Sequence, residues 1–310
     1  MAEIRASLLQ WYPSTYAVGS GAFGVAFDGT NIWVTNDGNG TVTKLLASSG
    51  AVVGTYAAGP GPSGIAFDGT NMWIANFTAA NTVTKLLACS GAVVGTYAVG
   101  SMPYGLAFDG TNIWVANYGT DTVTELQASS GAVVGTYTVG NGPAWVAFDG
   151  TYIWVANSGD GTVTKLQAFS QMGPGGGGPG GGGPGGGTPA GTVVGTYAVG
   201  NYPQGIAFDG TNIWVANQRD NTVTELLASN GSLVNTYAVG SFPAGVAFDG
   251  TNIWVANNTG SSVSKLLASN GSLVGTYNNV CGPAGVASDG TNIWVANNYC
   301  GSVTKIGATK

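Results

Sequence analysis

The sequence predicts an all-β chain folded as a single seven-bladed β-propeller of four-stranded blades, spanning residues 1–310. Three observations predict it. A unit opened by a Thr-Tyr dipeptide recurs at Thr15, Thr55, Thr96, Thr136, Thr196, Thr236 and Thr276, spaced by 40, 41, 40, 60, 40 and 40 residues. Every unit carries a variant of DGTNIWVAN, a β-forming run behind a turn. The two ends of the chain are complementary: SVTKIGATK stops where a third strand would end, and LLQWYPSTYAVG matches the fourth-strand pattern. Self-similarity at this period, with four short strands per repeat, is the signature of propeller blades.

The unit from Pro103 to Gly135 shows how each strand and turn arises. YGLAF (104–108) is a short apolar run, and Asp109-Gly110 makes the tight turn after it, since Gly tolerates positive φ. NIWVAN (112–117) is the second strand and YGTD (118–121) a polar turn. TVTELQA (122–128) is the third strand, SSG (129–131) the next turn, and AVVGTYAV (132–139) the fourth strand. Closing the last blade with the N-terminal strand removes the two free edges that would invite aggregation.

The IWVAN and FDGTN segments resemble those of the YVTN and NHL-type bacterial β-propellers, a group that includes virginiamycin B lyase-like proteins, and the resemblance covers nearly the whole chain. It implies the propeller fold. Lyases of that group are understood to use His with a magnesium ion. This chain has no His, so the resemblance does not bring the lyase activity with it.

Composition narrows the function further. Charged residues make up 7% of the chain and Gly 54 of its 310 residues, with a net charge of −6 and no basic cluster. Nucleic acid is therefore not an expected partner, because phosphate binding needs clustered Lys or Arg. No 18-residue apolar run is present, so no membrane-inserted helix is expected. MAEIRASLLQWYPSTYAVG lacks an apolar core of signal-peptide length, and a removed leader or another export route is expected.

Residues constant in all blades read as scaffold. These are the Trp of each second strand (Trp33, Trp73, Trp114, Trp154, Trp214, Trp254, Trp294), the Asp of each first turn (Asp28, Asp68, Asp109, Asp149, Asp209, Asp249, Asp289) and the Asn ending each second strand. The Trp side chains are expected to pack between blades. The Asp and Asn side chains are expected to satisfy loop backbone groups.

Variation concentrates in the approach to strand one and the turn between strands two and three, which share one face, here called the top. Aromatics collect there: Phe23, Phe77, Tyr104, Tyr118, Trp145, Tyr202, Phe242 and Tyr299. Six blades carry Gly where blade four has Trp145, which either plugs the channel or meets a ligand. Arg219 is the only basic residue of these loops, with Asp37, Asp121, Asp160 and Asp220 as acidic neighbours. The candidate ligand-binding set is Trp145, Tyr104, Tyr202, Phe23, Phe242, Tyr118, Arg219 and Asp220. Rings beside carboxylates and amides suit a glycan, since rings stack on apolar sugar faces while polar groups bind hydroxyls.

No nucleophile motif is present and no His-based triad is possible, so no catalytic residue, metal or cofactor is expected. A hydrolase would need two acids converging on the top face, with Asp121 and Asp160 as the adjacent pair. Cys281 and Cys300 flank the same face of blade seven and are expected to form a disulfide, which implies an oxidising setting. Cys89 is expected to be a free thiol.

The single long interval contains a Gly/Pro-rich insertion in blade four, residues 171–190, QMGPGGGGPGGGGPGGGTPA. A linker joins two domains, whereas this run leaves and re-enters one blade. Proline biases chain to extended geometry, which leaves glycine backbone free to hydrogen-bond a neighbouring chain. An assembly role is expected for Gly173, Pro174, Pro179, Pro184 and Pro189, against a passive loop. The function expected is a non-enzymatic structural or adhesive module, extracellular or on a cell or virion surface. Its partners would be protein subunits, with a lectin-like module binding cell-surface glycans as the alternative.

Overall fold

The computed structural model describes residues 14–170 and 188–307. Seven antiparallel four-stranded sheets make the seven blades. Blade one runs from Ala22–Phe27 to Val52–Ala57, and each later blade repeats it in chain order. Ser14–Ala17 pairs with Ser302–Gly307, in the register Ser14 to Lys305 and Ala17 to Ser302, so the N-terminal strand completes blade seven.

The core sits between blades. Each second-strand Trp is fully buried and packs into the following blade: Trp73 lies with Leu106, Ile113, Val115 and Leu126 of blade three, and Trp294 of blade seven lies with Ile32, Val34 and Leu45 of blade one. The same hydrophobic contact that joins any two neighbours therefore also closes the ring. Burying a side chain of this class contributes about 1.5–3 kcal/mol, so the seven contacts carry much of the fold.

The Trp also has a polar handle. In all seven blades its Nε1 donates to Oδ2 of the turn Asp, at 2.7–2.8 Å. The other Asp oxygen accepts two backbone N–H groups, from Thr111 and Asn112 on Asp109, at 2.8 and 2.7 Å. The Asp thus fixes the turn and the Trp at once. The strand-ending Asn does more than the expectation: its Nδ2 donates to two hydroxyls of strand three, as Asn117 does to Thr122 and Thr124. Its oxygen accepts a backbone N–H in blades one, five and seven.

Blades are latched at the outer side as well. Lys44, Lys85 and Lys165 lie over the Trp of their own blade and donate to Ala88, Ala128 and Ala228 carbonyls in the next, each at 2.7 Å. In six blades the fourth-strand Tyr covers a turn glycine of the next blade; a Cβ on Gly191 would stand 2.0 Å from the Tyr137 ring.

That last seat locates the insertion. Gly191 N donates to Gln167 O at 2.7 Å, as Gly131 N does to Gln127 O in blade three. Ala190 N reaches Ser170 Oγ at 3.3 Å. The run is spliced into the turn ahead of its closing glycine, and blade four keeps its standard geometry. Gly173, Pro174, Pro179 and Pro184 lie outside the described residues.

Candidate functional site

The channel lining follows from a break in each inner strand. Its ladder shifts register after the first residue, between Pro103 and Leu106 in blade three and at the matching place in every other blade. The two intervening residues leave the ladder. The second is Gly in six blades because neighbouring inner strands approach there: a Cβ on Gly205 would stand 2.1 Å from Ala244 O. Blade four has Trp145 at that place.

Trp145 spans the channel. Its ring lies 5.6 Å from Tyr104, edge to face, and 6.1 Å from Phe23, three blades away around the ring. Tyr104 is the hub, with Phe23 at 5.5 Å, Phe77 at 5.4 Å and Tyr118 at 6.4 Å. Tyr118 and Tyr202 then meet through their hydroxyls at 3.1 Å, an arch from blade three to blade five. Arg219 stacks on Tyr202 at 4.5 Å. Burial, reinforced by the neighbouring Tyr202, Tyr118 and Asp37, pushes the Tyr104 phenol up, and the bond to Tyr202 does the same for Tyr118. Both stay neutral near pH 7.

The other half of the mouth is built of amides. A cavity of about 240 Å³ is bounded on one side by Phe23, Tyr104 and Trp145 and on the other by Gln204, Gln218, Asn258, Asn298 and Tyr299. No charged side chain lines it. Asn258 Nδ2 donates to Pro283 O at 3.1 Å and Asn298 Nδ2 to Ala22 O at 3.4 Å, so each staples its blade to the next. Tyr299 Oη donates to Asn258 Oδ1 at 2.7 Å. Tyr299 is held in turn by the Cys281–Cys300 disulfide, whose Cα atoms stand 5.9 Å apart, beside Gly282 on which the Tyr299 ring rests.

Of the sequence-derived set, Trp145, Tyr104, Phe23 and Tyr118 come together, with Tyr202 and Arg219 continuing the wall. Phe242 stands apart, 38% exposed, at a left-handed φ of 60°. Asp220 caps a loop instead of facing the cavity: it accepts Asn201 N at 2.6 Å and Asn201 Nδ2 at 2.8 Å, and those bonds lower its pKa. Asp160 does the same for Asn141, and Asp121 accepts Gly142 N at 2.8 Å. The two acids considered as a hydrolytic pair are thus engaged by backbone of the same turn. The amide wall escaped sequence reasoning. Its signal was present, because Gln204 fills the repeat position of Tyr104, and Gln218, Asn258 and Asn298 fill that of Phe77 and Tyr118.

A larger cleft, about 690 Å³, opens on the opposite face between blades seven and one. It reaches Ser14 and Gly307, the last described residues at the two ends, and its lining mixes Tyr16 and Phe27 with the charged Asp289 and Lys305.

No protein-family model matches the chain, and no curated protein does. Solved structures do. A hydrazine synthase chain of Kuenenia stuttgartiensis superposes with a TM-score of 0.75 at 18% identity, covering 93% of this chain and 96% of that one. A streptogramin B lyase structure superposes with a TM-score of 0.74 at 17% identity, covering 96% of this chain and 97% of that one. At such identities the likeness speaks for the fold, since one propeller scaffold hosts many activities. The chain is a seven-bladed β-propeller that matches streptogramin B lyase and the hydrazine synthase propeller in architecture.

Proposed function

We propose that this protein is a non-enzymatic adhesion module, working outside the cell or on a particle surface, that holds an uncharged glycan in the mouth of its channel. The observation that carries the reading is the division of one small cavity between an aromatic wall (Phe23, Tyr104, Trp145) and an amide wall (Gln204, Gln218, Asn258, Asn298). Rings offer apolar faces to sugar C–H groups, and convergent amides fix hydroxyls, which is the chemistry by which mostly apolar pockets orient polar ligands. Asp121, Asp160 and Asp220 are spent on loop backbone, which leaves Asp37 without a second free carboxylate among the top-loop acids to pair with for hydrolysis. Calorimetric titration with neutral oligosaccharides tests it. Wild type should bind, and Tyr104→Ala and Gln218→Ala should each weaken binding at least tenfold. Equal affinity in all three proteins would reject the site.

Assembly through the Gly/Pro run is a second reading. It is favoured by the way the insertion leaves and re-enters blade four at Ser170 and Ala190 without altering the turn. Deleting residues 171–187 and measuring mass by light scattering tests it. A change from oligomer to monomer supports assembly, and an unchanged mass opposes it.

A further inference from the structure

We propose that the cavity takes one terminal, uncharged pyranose ring of a glycan, end-on; this rests on the glycan reading above and goes further in stating which part of the chain is bound and which glycans are refused. Four features argue it. The space is about 240 Å³, below the roughly 300–1,000 Å³ of pockets that hold drug-sized ligands, and so suits one ring. Trp145 reaches Phe23 across the channel at 6.1 Å, so a polysaccharide would have to displace that contact to thread through.

The cavity also lacks any Lys, Arg, Asp or Glu in its lining. A sialic acid or uronate would bury its carboxylate unpaired, which costs far more than a hydroxyl that finds a partner. Finally, the amides leave acceptors free. Gln204 is only 8% exposed; its Nε2 donates to Ser158 Oγ at 3.3 Å, and its Oε1 has no partner among the described residues. Asn298 spends its Nδ2 on Ala22 O in the same way. Carbonyl acceptors in a neutral wall select hydroxyl donors.

An aromatic cage for a quaternary ammonium is the competing chemistry. Cage rings stand apart around the cation, whereas Phe23, Phe77 and Trp145 each meet the Tyr104 ring edge to face at 5.4–5.6 Å, which leaves no room among them for one. They make a continuous wall.

The test is a printed array of glycans ending in Gal, Glc, Man, Fuc or GlcNAc, each beside its sialylated or uronate-ended counterpart. Phosphocholine-bearing spots are included. The tightest neutral hit is then titrated by calorimetry into wild type, Gln218→Ala and Trp145→Gly, the last carrying the residue six other blades have, with Tm confirming that each variant is folded. Neutral termini should bind, and capping them with sialic acid should cost at least tenfold. Trp145→Gly should lose at least tenfold. Preferential binding of anionic termini, of phosphocholine or of chain interiors, or full affinity in Trp145→Gly, would overturn the proposal. Binding of sialylated glycans at this same mouth would leave the glycan reading standing while refuting end-on neutral recognition. Binding of no glycan at all would refute both.

Discussion

Replacing Asp109 by Ala removes three hydrogen bonds at one stroke. Its carboxylate accepts Thr111 N at 2.8 Å, Asn112 N at 2.7 Å and Trp114 Nε1 at 2.7 Å. Asp109 is 5% exposed and Trp114 fully buried, so water cannot replace the indole's partner without opening the blade interface. An unsatisfied buried donor costs about 1–3 kcal/mol, and bonds to a charged group are worth about 1.5–3 kcal/mol each. The Thr111 N–H lies at the surface and recovers water, so its share is small. The sum is about 3–5 kcal/mol. At about 2.1 cal/mol/K of unfolding entropy per residue, a chain of 310 residues loses roughly 1.5 °C per kcal/mol, so Tm should fall by about 5–8 °C. Asp109→Asn, which keeps one acceptor for the turn, should lose about half as much. The assay is thermal unfolding followed by circular dichroism and by Trp fluorescence. A loss below about 0.5 kcal/mol for Asp109→Ala would refute the claim that this Asp couples turn to Trp, because only a solvated surface acid behaves so.

Other expected outcomes follow from the same geometry. Gly205→Ala should cost about 1–3 kcal/mol, because its Cβ would meet Ala244 O at 2.1 Å, while Gly275→Ala, with nothing within 4 Å, should be neutral by chemical denaturation. Phe242→Gly should raise stability by about 1 kcal/mol, since Phe242 holds a φ of 60° where blades one, two, four and seven have Gly. Burial raises the pKa of Glu125 despite its bonds from Tyr137 and Asn112, so its contribution is full at low pH and is lost as pH rises through the folded value. The stability of wild type relative to Glu125→Gln should therefore fall between pH 4 and pH 7 in urea titrations. For Asp28 and Asp68 burial acts upward, but bonds from Trp33 or Trp73 and the turn prevail and lower the pKa, so their contribution should disappear only as pH drops below the ordinary carboxylate range. Replacing Cys281 and Cys300 by Ser should cost about 2–3 kcal/mol for a closed loop of this length. It should also weaken ligand binding through Tyr299.

The architecture was legible because repetition exposes it. The Thr-Tyr spacing counted the blades, and the match between SVTKIGATK and LLQWYPSTYAVG announced the closure that joins Ser14–Ala17 to Ser302–Gly307. The Asp to Trp bond was missed although the two stand five residues apart in every blade, because a turn role for Asp seemed sufficient. The site was half legible. Aromatics in variable loops stand out, so Tyr104, Trp145, Phe23 and Tyr118 were found. Their meeting was not, since Phe23 and Trp145 stand three blades apart in the chain and touch only across the channel, which no local pattern encodes. The amides were overlooked because Gln and Asn look like ordinary loop residues until their repeat position places them on the channel. Phe242 was grouped with the others by residue type, yet it falls in the left-handed position just before Pro243, beside Tyr202 and Met102 in their blades, and that position points to the rim.

The most direct test of a divided channel mouth is a crystal structure of the protein soaked in a neutral oligosaccharide. The account predicts one sugar ring against Trp145 and Tyr104, with hydroxyls on Gln204, Gln218 or Asn298 and the rest of the glycan leading out of the top. Sugar bound anywhere else while the mouth stays empty, or a chain passing through the channel past a displaced Trp145, would contradict it.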